Sequence, residues 1–299
     1  MKPALVITGP HRFRTIMLAR RLAAHGVRLG WSLGENFESR FFLRHNEWLL
    51  RRCGGSSWEY PELSRMLTED AALMRSAADR FWRKVHGLGF REHLGFGRRG
   101  TEVVWKDPRN LLTFDIWDRV FEGLRAVALV RHGIDAAASL YVRAKRNMVG
   151  RGHSYAFARI PLRERAIAAC TGYDSFVFAS IRCQTLEGAF EVWCEYAQRA
   201  SELLDLHREH AMLVWYEDFL AAPTETIERI VEFGGLASFK DHGLGATETI
   251  RADRAFAFAD DPVLTRFASQ VQHHPLLQRF GYGASDKTNV PCGDVVDGK

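Results

Sequence analysis

Residues 126–147 read AVALVRHGIDAAASLYVRAKRN, and this stretch limits most strongly what the chain can do. It begins as a short apolar run, changes abruptly at Arg131, and continues over Ile134–Arg146 as a segment of high helix propensity. Ser139 follows the arginine by eight residues. The pattern predicts a buried strand that delivers a cation to a helix start, where a phosphate group is favoured. An ordinary strand–helix junction with a surface arginine explains the same residues equally well.

Three more apolar, β-favouring runs end in the same way, at a turn or a polar residue. The predicted strands are Ala4–Thr8, Thr101–Lys106, Leu124–Val130 and Ala211–Trp215. Helical spacing predicts helices at Ile16–Ala24, Leu43–Arg52, Glu62–Val85, Leu111–Phe121, Ile134–Arg146, Ala189–His207 and Thr224–Phe233, with a short helical tail to Tyr282. This alternation predicts an α/β fold, with a central parallel sheet flanked by helices on both faces. Ligands of such sheets bind beyond the carboxyl ends of the strands.

Composition narrows the class of protein further. The chain has 299 residues, a net charge of +5 and five cysteines whose spacing matches no zinc site. A mildly basic chain suits anionic small ligands, but without interleaved basic and aromatic patches it gives no reason to expect nucleic acid. The odd number of cysteines and the lack of a long apolar window predict reduced thiols, no membrane span and a cytoplasmic location. We expect one domain over residues 1–282 and a disordered tail over residues 283–299.

The loop after the first strand, Gly9–Thr15, reads GPHRFRT. A loop between a buried strand and a helix start can surround a phosphate with its N–H groups, and Arg12 and Thr15 would add side-chain donors. It is not a Walker A loop, because Arg14 and Thr15 stand where Gly-Lys-Ser/Thr is needed. It lacks the GxGxxG dinucleotide pattern as well.

The order of the motifs resembles that of the bacterial sulfotransferases that use PAPS, the activated sulfate nucleotide. These enzymes have a PRSGT-type loop, a YFED-like segment, KDPR, an arginine and a serine eight residues apart, and RYEDL before a proline turn. The corresponding residues here are Gly9–Thr15, Asn36-Phe37-Glu38-Ser39, Lys106-Asp107-Pro108-Arg109, Arg131 with Ser139, and Trp215–Leu220 ahead of Pro223. The resemblance covers residues 4–236 except Met148–Gly188. It implies the three-layer architecture shared by sulfotransferases and P-loop NTPases.

By position, the resemblance implies a set of nucleotide-binding residues: Arg12, Phe13, Arg14, Thr15, Arg131, Ser139 and Tyr216. The first loop would hold the 5′-phosphosulfate, Arg131 and Ser139 the 3′-phosphate, and Tyr216 would lie near the adenine. Phe13-Arg14 replaces the family's Ser-Gly. Because that glycine normally lets the backbone approach the phosphate, Arg14 either reaches the phosphosulfate itself or blocks the site.

The resemblance also implies two catalytic residues. Glu38 falls where related carbohydrate sulfotransferases place a catalytic glutamate, and a carboxylate can accept the proton of an attacking hydroxyl. Lys106 could neutralise charge on the leaving phosphate oxygen. The scheme requires no metal. Alternatively, Glu38 is a solvated carboxylate at a helix start.

Other polar residues have structural interpretations. Asp107-Pro108-Arg109 is equally well a turn in which Arg109 pairs with a buried carboxylate. Glu217-Asp218 is expected to order a strand end, and His273-His274 to lie at the surface. The histidines of the two ligand loops, His11 and His132, could contact phosphate, although nothing in the pattern requires it.

The leading hypothesis is therefore a sulfotransferase that moves a sulfuryl group from PAPS to a hydroxyl of a small molecule or carbohydrate. The acceptor contacts are expected in or beside the basic, aromatic block Met148–Gly188. The alternative is a catalytically inactive protein of the same fold that binds a nucleotide or a partner. A small-molecule P-loop kinase is disfavoured by the missing Gly-Lys-Ser/Thr.

Overall fold

The sheet of this protein is built from four short buried strands. The computed structural model describes residues 4–10, 15–30, 33–34, 36–52, 75–76, 79, 103–121, 123–149, 181–236 and 254–283. Within them the strands are β1 (Ala4–Thr8), β2 (Val103–Lys106), β3 (Arg125–Val130) and β4 (Ala211–Trp215). All four predicted strands are confirmed, two of them at the predicted bounds.

The strands are parallel and lie in the order β2-β1-β3-β4. Ile7 of β1 is in register with Lys106, and Val130 of β3 is in register with Trp215. All residues of β1 and β2 are buried, so helices cover both faces of the sheet, as continuous apolar runs predict. The predicted α/β class is therefore confirmed. The parallel arrangement brings the carboxyl ends of all four strands to one edge.

Helices connect the strands and extend beyond them. They are α1 (Thr15–Ala24), α2 (Arg40–Arg52), α3 (Asn110–Val120), α4 (Gly133–Val149), α5 (Leu186–Leu206), α6 (Tyr216–Ala221), α7 (Pro223–Gly234), α8 (Pro262–Val271) and α9 (Pro275–Arg279). Two short 3₁₀ turns occupy Ile181–Gln184 and Ala257–Asp260. Sequence reasoning missed α6, because six residues are too few for helical spacing to show.

Several helix ends follow directly from the local sequence. Thr185 precedes α5, and its Oγ1 accepts a hydrogen bond from the backbone N–H of Gly188 at 3.0 Å. α7 starts with Pro223 and stops at Gly235, whose left-handed backbone (φ 58°) suits glycine. For most helices the ends predicted from helical spacing differ from the observed ends by three residues or fewer.

The core joins α2 and α3 to the sheet through large aromatic side chains. The Phe42 ring stacks on Trp105 with centroids 4.1 Å apart and planes 8° from parallel, and Trp117 contacts both edge-on. Gly9, with φ 145°, follows β1 where a Cβ atom would lie 2.4 Å from the carbonyl oxygen of Leu129. Only glycine fits this close approach of β1 to β3.

Several predictions concern residues outside the described ranges. These residues are Arg12, Phe13, Arg14, most of Glu62–Val85 and of Met148–Gly188, and nearly all of the tail. Within the described ranges, no helix combines the length and the apolarity that crossing a bilayer requires.

Candidate functional site

Residues at the ends of all four strands lie along the carboxyl edge of the sheet. Gly9 follows β1, Lys106 ends β2, Arg131 follows β3 and Tyr216 follows β4. Adjacent strands lie about 4.8 Å apart, so β2 and β3, on either side of β1, are separated by roughly 10 Å across the sheet. Lys106 is in register with Ile7, and Ile7 with Val127, so Arg131 lies four residues farther along the strand direction than Lys106. The structure thus places these predicted site residues along the same edge of the sheet, with Lys106 and Arg131 at different levels.

Glu38 and Lys106 form an ion pair on the β2 side of the edge. Lys106 Nζ donates to Glu38 Oε1 at 2.8 Å and to the carbonyl oxygen of Asn36 at 3.3 Å. The side chain of Lys106 is 1% exposed and that of Glu38 is 12% exposed, so Glu38 is not the solvated carboxylate of the alternative interpretation. Its second oxygen, Oε2, accepts no hydrogen bond within the described part of the chain. That oxygen is the one that could take a proton from a bound hydroxyl.

A strained turn presents Glu38 to the lysine. Leu33 and Ser39 pair as an antiparallel bridge, and between them Phe37 has a left-handed backbone with φ 57°. The Phe37 N–H donates to the carbonyl of Gly34 at 3.0 Å, and the Gly34 N–H donates to the carbonyl of Glu38 at 2.9 Å. A non-glycine residue in this region costs about 1–3 kcal/mol, and such strain often occurs at functional sites.

The Asp107-Pro108-Arg109 turn has the structural role that one interpretation predicted. Asp107 Oδ1 accepts from both the backbone N–H and Nη1 of Arg109, each at 3.0 Å. Arg109 Nη2 lies 3.3 Å from Glu47 Oε1 on α2. Arg109 is thus held between two carboxylates, and it joins α2 to the end of β2.

Arg131 is buried on the β3 side of the edge with only part of its hydrogen-bonding capacity used. Its Nη2 donates to the carbonyl oxygen of Arg254 at 3.1 Å and lies 3.2 Å from Asp135 Oδ2. Its guanidinium carbon lies 5.0 Å from the centre of the Tyr216 ring. Among the described residues, nothing accepts a hydrogen bond from Arg131 Nε. A buried cation with an unsatisfied donor, beside a helix start, can bind an anion.

His132 faces the interior and is not directed at a ligand. Its ring stacks on Phe258 with centroids 4.5 Å apart, and its Nδ1 accepts from the Ile134 N–H at 3.3 Å, which caps α4. Burial, assisted by the charge of Arg131, lowers the pKa of His132 to about 3. The imidazole is therefore neutral, and the suggested contact with phosphate finds no support.

Two buried carboxylates attach residues 254–282 to this side of the sheet edge. Glu217 accepts from the His132 N–H at 3.0 Å and from the Tyr282 hydroxyl at 2.7 Å. Asp135 Oδ1 accepts from the Phe258 N–H at 2.9 Å. Burial raises the pKa of both carboxyl groups. Glu217 orders the strand end, as predicted, and sequence reasoning missed the other members of this cluster.

The remaining predicted site residues are placed as follows. Thr15 is the first residue of α1 and is buried, while Ser139 is half-buried two turns into α4. Tyr216 is 0% exposed, and the guanidinium of Arg131 lies over its ring. The adjacent histidines are not both at the surface, because His274 is half-buried and caps α9 through Leu276 N.

Other reactive groups in the described ranges give no second site. No group of three or more His, Cys, Asp or Glu side chains could hold a metal ion there. Cys194 Sγ lies 3.6 Å from His274 Nε2, but burial, with Glu191 and Glu195 adding to it, raises the pKa of the thiol to about 12. This thiol is not activated for nucleophilic attack.

No protein-family model matches the chain, and no curated protein matches its sequence. Similar solved structures include a sulfotransferase from Alicyclobacillus acidocaldarius, 15% identical with a TM-score of 0.49 over 95% of this chain and 97% of the other. The sulfotransferase domain of the curacin biosynthetic pathway is 17% identical, with a TM-score of 0.49 over 91% and 98% of the two chains. That of the Synechococcus PCC 7002 olefin synthase is 17% identical, with a TM-score of 0.47 over 97% and 96%. Each of the three is described as a sulfotransferase or a sulfotransferase domain.

Proposed function

We propose that this protein is a sulfotransferase that moves a sulfuryl group from PAPS to a hydroxyl of a small-molecule or carbohydrate acceptor. The observation that carries the proposal is Arg131, a buried cation at the end of β3 whose Nε has no partner in the described chain. It lies on the same sheet edge as the Glu38–Lys106 pair. One edge therefore combines an anion-binding group with a carboxylate and an ammonium group suited to group transfer.

Arg131 and Ser139 would hold the 3′-phosphate of the nucleotide. A phosphate oxygen accepting from Arg131 Nε would satisfy the donor that the described residues leave unpaired. Ser139 lies on α4 two turns beyond the strand end and offers a hydroxyl on a helix that starts at Gly133. The residues that would contact the 5′-phosphosulfate are Thr15 and, outside the described residues, Arg12, Phe13 and Arg14.

PAPS, when bound, supplies the sulfuryl group and the leaving phosphate. Glu38 Oε2 would accept the proton of the attacking acceptor hydroxyl, while Oε1 stays bonded to Lys106. Lys106 Nζ would oppose the negative charge that develops on the phosphate oxygen when its bond to sulfur breaks. Burial makes this ammonium group more effective, because little water screens it.

Titration with PAP, the desulfated product, tests the proposal most directly. We expect PAP to bind with release of heat in a calorimeter, and radiolabelled PAPS to yield a sulfated product with a suitable acceptor hydroxyl. No binding at millimolar PAP would contradict the proposal.

A second candidate is a non-catalytic protein of this fold. It is favoured by the pairing of Arg131 with Asp135 and the Arg254 carbonyl, which gives the arginine an internal role. This candidate predicts PAP binding without transfer to any hydroxyl acceptor, or no PAP binding at all. The same titration and transfer assay separate it from the enzyme.

A further inference from the structure

Asn46 joins three structural elements through its side-chain amide, and we propose that it is a positioning residue for the Glu38–Lys106 pair. The inference rests on the function proposed above. Asn46 lies on α2 and is 0% exposed. It does not touch the ion pair itself.

Every hydrogen-bonding position of the Asn46 side chain is used. Nδ2 donates to Asp107 Oδ2 and to Asn110 Oδ1, both at 2.8 Å. Oδ1 accepts from Thr113 Oγ1 at 2.8 Å and from Trp117 Nε1 at 2.7 Å. An amide offers two donors and two acceptor lone pairs, so this one cannot rotate or shift without losing bonds.

One of these bonds fixes the chain beside Lys106. Asp107 follows the lysine directly, and its Oδ2 is held by Asn46 while its Oδ1 is held by Arg109. Its backbone N–H donates to the carbonyl of Ile7 at 3.1 Å, which anchors this residue to β1. The end of β2 is thereby held by Asn46, by Arg109 and by the carbonyl of Ile7.

The same amide fixes the helix that follows Glu38. α2 begins at Arg40, two residues after the glutamate, and it packs on β2 through the Phe42–Trp105 stack. Stacked rings tolerate sliding, because dispersion contacts have little directional preference. Hydrogen bonds are directional, so the bond from Asn46 to Asp107 sets the position of α2 along β2. That position determines the distance between Glu38 and Lys106.

A buried amide of this kind makes the position of α2 against β2 more specific. An apolar side chain would avoid the cost of burying four polar contacts, and it would pack in the same aromatic core. The fully satisfied network therefore favours one register of α2 against β2. The ion pair at 2.8 Å depends on that register.

Asn46→Asp tests the inference by replacing the donor that faces Asp107 with a carboxylate oxygen. Repulsion between the two carboxylates is expected to displace α2 and lower kcat on the order of 100-fold. The Kd for PAP should stay within about twofold of the wild-type value, because Arg131 lies between β3 and α4, whereas Asn46 acts between α2 and β2. A crystal structure of this variant should show Glu38 Oε1 farther than 2.8 Å from Lys106 Nζ.

A swapped pair and a control make the test specific. Asp107→Asn added to Asn46→Asp restores the bond between these two residues with donor and acceptor reversed, but not the bond to Asn110 Oδ1, so we expect part of kcat to return. Thr113→Val removes one bond to Asn46 Oδ1 but keeps the bond to Asp107, so it should lower stability while kcat stays within about twofold. Asn46→Ser, whose hydroxyl is too short to reach Asp107, takes the place of Asn46→Asp where that variant does not fold.

The outcomes separate the two proposals. Unchanged kcat and an unchanged ion-pair distance in the Asn46 variants would overturn the positioning role, and so would an equal loss of kcat in Thr113→Val. If the wild-type protein transfers no sulfuryl group, the proposed function fails. The ion-pair distance in the Asn46 variants then still decides the role of Asn46, because it requires no activity.

Discussion

The guanidinium carbon of Arg131 lies 5.0 Å from the centre of the Tyr216 ring. The two residues follow β3 and β4, which are neighbours in the sheet, so pairing of the strands brings them together. A guanidinium that stacks on an aromatic face keeps its N–H groups at its edge, where Nε can donate to a phosphate oxygen. β4 therefore supplies the support for the cation that we expect to bind the nucleotide.

Replacing Arg131 with alanine should weaken PAP binding by about 1–3 kcal/mol, since it removes charge-assisted hydrogen bonds. Calorimetric titration measures this loss. Arg125→Ala is the matched control, because Arg125 begins the same strand at the opposite edge of the sheet and should leave the affinity unchanged. Equal PAP affinities for the wild type and Arg131→Ala would mean that the nucleotide binds elsewhere.

Tyr216 should affect the nucleotide only through Arg131. Tyr216→Phe keeps the ring under the guanidinium and should bind PAP nearly as well as the wild type. Tyr216→Leu removes the aromatic face and should weaken binding by about 0.5–2 kcal/mol. The two variants are compared by the same titration, and a larger effect of phenylalanine than of leucine would contradict this role.

Glu38→Gln should abolish sulfuryl transfer while PAP binding remains nearly intact. Glutamine can still accept a hydrogen bond from Lys106, but it cannot take a proton from the acceptor hydroxyl. Transfer is followed with radiolabelled PAPS. Glu191→Gln, which changes an exposed carboxylate on α5, serves as the control, and full activity in Glu38→Gln would show that another group is the base.

Lys106→Met should lower the free energy of unfolding by about 3 kcal/mol, because it leaves the carboxylate of Glu38 without its partner in a largely buried place. The double variant Lys106→Met, Glu38→Gln removes that charge as well and should recover part of the loss. Urea unfolding of the four proteins in the cycle measures the coupling. Additive losses would mean that the pair contributes nothing to stability.

Stability should fall as the pH decreases below the usual pKa of histidine because of His132. Burial and the charge of Arg131 lower the pKa of this imidazole from 6.5 to about 3. The unfolded chain then binds a proton that the folded chain does not, so the contribution is complete above pH 6.5 and is lost progressively toward pH 3. Asp135 and Glu217, whose pKa values are raised by burial, act in the opposite direction.

His132→Asn isolates the histidine contribution. Asparagine can still cap α4, and both carboxyl groups remain in the variant. Its unfolding free energy, measured in urea between pH 7.5 and pH 5, should fall less steeply with decreasing pH than that of the wild type. Equal slopes would mean that His132 takes up its proton at the same pH in the folded and the unfolded protein.

The sequence predicts most of the framework because its signals are local. Apolar runs define the strands, and capping residues such as Thr185 and Gly235 define the helix ends. The placement of Lys106 and Arg131 along the same edge of the sheet follows from parallel pairing alone. These features need no knowledge of distant contacts.

The contacts that the sequence does not reveal join residues far apart in the chain. Asn46 bonds to Asp107, 61 residues away, and Arg131 to the carbonyl of Arg254, 123 residues away. A lone asparagine inside an amphipathic helix has no periodic signature, and a backbone carbonyl has none at all. The buried role of His132 was hidden in the same way, because Phe258 and Tyr282 come from distant segments.

The bond from the Tyr282 hydroxyl to Glu217 has a consequence for how the protein is made. Residues 254–282 complete the surroundings of Arg131, yet the ribosome produces them after all four strands. Because chains fold progressively as they emerge, we expect the sheet to form first and the edge that carries Arg131 to stay open until this late segment docks. A chain halted before residue 254 would then be a folded sheet whose arginine keeps Tyr216 beside it but lacks the bond to the carbonyl of Arg254.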